Sequence, residues 1–98
     1  MANFYTESTE KLFEAILSLE TKEECHKFFE DICTIKELQE ISQRLEVAKM
    51  LSDGKSYQEV SKQTGASTAT ISRVNKCLIY GSGGYKTVLE KTKPEEKK

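Results

Sequence analysis

The segment Ser67-Thr68-Ala69-Thr70-Ile71-Ser72-Arg73-Val74-Asn75-Lys76 carries the side chains best suited to chemistry with another molecule. Ile71 and Val74 are three apart, so on a helix they share one face and would pin it to a core. The outward face is then Thr68, Ala69, Thr70, Ser72, Arg73 and Lys76. Small residues at a helix start let its backbone approach base edges, and a threonine can hydrogen-bond a base or set its methyl on thymine. Ser67 can cap the helix, whose N-terminus itself favours an anion. Flanking cations can neutralise phosphates. The candidate contacts to a double-stranded DNA operator are Gln58, Lys62, Ser67, Thr68, Ala69, Thr70, Ser72 and Lys76. A helical hairpin with a solvated, threonine-rich face would share much of this pattern.

Other reactive residue types lead nowhere comparable. Cys25, His26 and Cys33 fit no established zinc spacing and lack a fourth ligand, so no metal site is expected. Neighbours on a helix point about 100° apart, so Cys25 next to His26 is no nucleophile–base pair. Gly81-Ser82-Gly83-Gly84 has no strand before it and no closing Lys-Ser/Thr, so it is no phosphate-binding loop. No catalytic residue is assigned, and the chain is not expected to be an enzyme.

The elements that must hold the reading face form a helix-turn-helix over about residues 57–78. Val60 faces inward from its first helix, Ser61 is small where the helices cross, and Gly65 falls where the turn needs a positive φ. The box Ser/Thr-x-x-Glu, which satisfies two orphan N–H groups at a helix start, occurs at Thr21–Glu24, Thr34–Glu37 and Ser56–Glu59. Apolar residues three and four apart predict helices over about 9–19, 22–32, 35–53, 57–64, 68–79 and 85–91, and no strand. The fold class is all-α with about six helices, one domain over residues 1–92 and a disordered tail at 93–98.

Composition adds three bounds. The formal net charge is −1, but residues 1–54 hold six basic and twelve acidic side chains, and residues 55–80 hold four basic and one acidic. Such asymmetry points to an anionic partner for the second half. Hydrophobic residues are 37% of the 98, a small core that suggests sharing with a second copy. No apolar run approaches the roughly 20 residues of a membrane span, and the N-terminus has no secretory pattern. Three cysteines, an odd number, argue against a disulfide scaffold and for a reduced, cytoplasmic chain.

Residues from about 34 to 92 resemble the bacterial Trp repressor, and more closely its Trp-repressor-related relatives in Gram-positive bacteria. The likeness rests on Ser42-Gln43-Arg44-Leu45, Asp53-Gly54, Gln58-Glu59-Val60, Gly65 through Arg73, and Gly81-Ser82-Gly83-Gly84-Tyr85. It implies an interlocked homodimer whose N-terminal helices wrap the partner, and two recognition helices one DNA turn apart on a palindromic operator. It further implies a small-molecule corepressor, L-tryptophan or another small aromatic, clasped by two arginines matching Arg44 and Arg73. Guanidinium groups suit that role, because they stack on rings and bind carboxylates. Two positions depart from the family: Val74 stands where it has glycine, and Cys77 where it has a ligand-holding serine. On this basis the sequence predicts a sequence-specific DNA-binding transcription regulator that acts as a repressor. Two alternatives stay open: a protein-interaction module without DNA affinity, and a nucleic-acid module of non-regulatory use.

Overall fold

The computed structural model describes residues 5–94. Six helices follow one another: α1 (Glu7–Leu17), α2 (Lys22–Ile32), α3 (Ile35–Ser52), α4 (Tyr57–Thr64), α5 (Thr68–Tyr80) and α6 (Gly84–Thr92). Among the described residues there is no strand. Most of the expected tail, residues 95–98, lies outside the described residues.

The helix starts follow from local hydrogen bonding. Ser56 Oγ accepts from the Glu59 N–H at 3.2 Å, and Glu59 Oε1 accepts from the Ser56 N–H at 2.9 Å. Thr34 and Glu37 make the same reciprocal pair at 3.0 and 2.9 Å. The Thr21 box is only half formed. Thr21 Oγ1 accepts from Glu24 N–H, but the Glu24 carboxylate takes the N–H of Glu20 instead. α1 begins two residues before its expected start, because Thr6 caps it and Thr9, a hydroxyl rather than a carboxylate, closes the box.

Chain contacts divide the molecule into two compact units, with the division inside α3 between Leu38 and Gln39. In the second unit a core forms from Val47, Ala48, Met50, Val60, Ala66, Ile71 and Val74. Leu51, Leu78, Tyr85 and Leu89 pack against it, so α3, α4, α5 and α6 all contribute. In the first unit neither α1 nor α2 buries a residue. Its aromatic side chains meet locally: Tyr5 lies edge-on to Phe13 at 6.0 Å and Phe28 to Phe29 at 5.3 Å. Leu17 stays 83% exposed and Ile35 77%. Cys25 is exposed, and Cys33 is half-buried.

Candidate nucleic-acid interface

The helix-turn-helix is built from α4, the turn Gly65-Ala66-Ser67 and α5. Gly65 ends α4 with φ +76°, the left-handed conformation that a Cβ would strain. Three side chains then lock the turn with four hydrogen bonds. Thr64 Oγ1 donates to the Val60 carbonyl at 2.7 Å and accepts from the Ala66 N–H at 3.1 Å. Ser61 Oγ donates to the Ala66 carbonyl at 3.1 Å. From α3, Gln43 Nε2 donates to the Thr64 carbonyl at 3.0 Å. Ala66 itself is buried. These bonds satisfy polar groups of a partly buried turn, which makes it a fixed corner rather than a loose loop.

On that corner α5 is two-sided. Ile71 and Val74 are 1% exposed and Leu78 is half-buried, one stripe at spacings of three and four. Thr68, Ala69, Ser72, Arg73 and Lys76 are exposed, and Thr70 is half-buried. Ser67 caps the helix, its Oγ accepting the Thr70 N–H at 3.2 Å. Gln58 and Lys62 are exposed on α4, while Val60 between them is fully buried. The candidate DNA residues are thus all outside the core, on the two helices of the corner and, for Ser67, in the turn between them. Gln43 was missed as a member of this assembly. It stands inside the matched run Ser42–Leu45, but a partner 21 residues away leaves no local spacing signal.

The candidate ligand residues are divided. A groove of about 650 Å³ opens between α3, α5 and the start of α6, walled by Ile41, Leu45, Tyr85 and Val88, with Arg44 and Cys77 on its lining. Arg73 does not line it. Val74 belongs to the core, with its side chain packed inward. Among the described residues Arg44 has no carboxylate within ion-pairing distance, and Glu37 is held by Thr34 instead. Among the described residues no group of three His, Cys, Asp or Glu side chains is placed to hold a metal ion, and no helix is long and apolar enough to cross a membrane.

Comparison with known proteins gives the corner a family. The model of the Trp repressor protein family matches residues 7–93. An uncharacterised protein of Bacillus subtilis (strain 168), YerC, is 53% identical over 87 residues, which is 89% of this chain and 84% of the relative. The solved structure of a TrpR-like protein from Eubacterium eligens ATCC 27750 superposes with a TM-score of 0.87 at 53% identity, covering 94% of this chain and 95% of that one. A candidate Trp repressor from Staphylococcus aureus gives a TM-score of 0.88 at 45% identity, over 95% and 93% of the two chains. The match runs through both units and every helix, and the chain therefore belongs to the Trp repressor protein family, a family of DNA-binding regulators.

Proposed function

We propose that the protein is a transcription regulator that reads a palindromic operator in the major groove as a homodimer and acts as a repressor. The observation that carries the reading is the two-sidedness of α5 on a hydrogen-bonded corner, with small hydroxyl residues outward and Ile71 and Val74 inward. Thr68, Ala69, Thr70 and Ser72 read bases, Ser67 and the N-terminus of α5 face the backbone, and Gln58, Lys62 and Lys76 flank them. The single compact domain over residues 1–92 is reached in the homodimer, where the uncovered apolar side chains of residues 7–38 find a second copy. Two recognition helices then stand one DNA turn apart. The working compartment is the cytoplasm.

For the corepressor, the separation of Arg73 from the groove and the inward Val74 favour DNA binding that does not depend on tryptophan. The chain has no Trp, so added tryptophan is observed without protein indole background. Unchanged anisotropy at millimolar protein is the expected outcome, and a rise would restore the corepressor.

A mobility-shift titration tests the main reading. Thr70→Ala should weaken specific binding about three- to tenfold, more than non-specific binding. Lys62→Ala or Lys76→Ala should weaken both and reduce the salt slope by about one. Equal losses on specific and random DNA for Thr70→Ala would remove it from the reading face. Absence of any salt-dependent DNA affinity would leave a protein-interaction module that docks a basic partner on its acidic half.

A further inference from the structure

The α4–α5 corner meets α3 mostly through apolar side chains. Val47, Ala48 and Met50 of α3 lie in one core with Val60, Ala66, Ile71 and Val74. Such contacts hold surfaces together but have little directional preference. Gln43 adds a directional one. Its Nε2 donates to the Thr64 carbonyl at 3.0 Å, across 21 residues, from the face of α3 that carries Val47 one turn later. The acceptor is one of the orphan carbonyls at the end of α4, and both residues are half-buried. A carbonyl only accepts, so the amide must present its NH2 end. Ser61 and Thr64 lock the turn that follows. Whatever fixes Thr64 therefore also fixes the start of α5, three residues on at Ser67.

We infer that Gln43 is a positioning residue that sets the angle of α5 against α3, and through it the half-site spacing that the protein accepts. The inference rests on the homodimeric DNA reading proposed above. In that reading residues 7–38 hold the second copy, and α3 is the helix that continues from them into the second unit. A change of angle between α3 and the corner then shifts the two α5 helices, one in each copy, relative to each other. One base pair added between half-sites displaces them by about 3.4 Å and about 35°. To follow, each corner must turn on α3. Apolar side chains tolerate a small slide, whereas the Gln43 bond breaks and leaves a half-buried carbonyl unpaired. A mis-spaced operator is thereby disfavoured even though each half-site keeps its sequence.

The test uses the full chain, a duplex that wild type selects from a random-sequence library, and the same duplex lengthened or shortened by one central base pair. Wild type should bind the altered duplexes about ten- to hundredfold more weakly than the selected one, the worth of one hydrogen bond in each copy. Gln43→Met keeps an unbranched side chain of similar length and removes the donor. It should weaken binding to the selected duplex by only about two- to threefold and reduce the spacing penalty to about threefold. The base preferences within each half-site should persist. A merely structural loss would weaken all three duplexes by one factor and leave the penalty intact. That result overturns the inference, as does a wild type indifferent to spacing. Independently of any variant's folding, the side-chain NH2 of Gln43 is followed by NMR in wild type. Its protons should exchange slowly with water in the free protein and on the selected duplex, and faster on the lengthened one. Equal exchange on the two duplexes overturns the inference. Failure of wild type to bind any duplex would overturn the DNA reading itself, a distinguishable failure.

Discussion

Residues 39–94 and residues 5–38 are both helical, but they treat apolar side chains in opposite ways. The former bury Val47, Val60, Ile71 and Val74 almost completely around the helix-turn-helix. The latter leave Phe13, Leu17, Ile32 and Ile35 at 42 to 83% exposure on helices capped by the Thr6, Thr21 and Thr34 side chains. Capping thus defines where a helix starts without providing anything for its apolar face. Helices of 11 residues, the length of α1 and α2, are marginal in water on their own and draw their stability from packing. The second unit supplies that packing from within the chain. For the first unit the homodimer proposed above supplies it.

The largest effect that sharpens this contrast comes from the core. Ile71→Ala should lower the unfolding free energy by about 2–5 kcal/mol, since it leaves a cavity beneath α5. Urea denaturation at fixed chain concentration measures it. A loss below about 1 kcal/mol would mean that the side chain is not closely packed, contrary to its 1% exposure.

Much of this arrangement was legible in the residues because its signals are local. Ser56–Glu59 and Ser67 fix the starts of α4 and α5 by bonds spanning three residues, Gly65 ends α4 by its positive φ, and Ile71 and Val74 give the inward stripe by spacing alone. Two kinds of feature escaped. The start of α1 was misplaced by two residues because Thr9 closes the capping box with a hydroxyl, outside the Ser/Thr-x-x-Glu pattern. The Gln43 bond to Thr64 and the separation of Arg73 from the groove depend on how α3 and α5 meet, which no spacing along one helix encodes. The charge asymmetry was legible in kind. The acidic half includes all of residues 1–38, and the basic segment begins at Lys55, just before α4.

The other side of the contrast is broken, or kept, by Leu17→Glu. Leu17 is 83% exposed and contributes nothing to the buried core of its own chain. Burying a leucine against a second copy contributes about 1.5–3 kcal/mol, so this substitution should weaken self-association more than about tenfold. Sedimentation equilibrium reads that shift, and it should be larger than any change seen at an exposed polar position such as Lys11. An unchanged association constant would show that the exposed end of α1 is not an interface, and residues 7–38 would need another partner.

The smallest effect concerns the charge at the start of α4. The backbone N–H of Ser56 holds the Glu59 carboxyl below its ordinary value of 4.5, partly opposed by desolvation and assisted by the Ser56 hydroxyl and Lys55. A carboxyl whose folded pKa lies below its unfolded one binds fewer protons in the native state. Its stabilisation is therefore complete above the unfolded pKa and fades as pH falls through the folded one. Glu59→Gln retains an oxygen for the Ser56 N–H but removes the charge. It should cost a little stability at neutral pH, and the difference from wild type should shrink as the solution is acidified below 4.5. Thermal melts across that range follow it. A difference that stayed constant would assign the cost to capping geometry rather than charge. The corner beneath the reading face would then owe its start to hydrogen-bond shape alone.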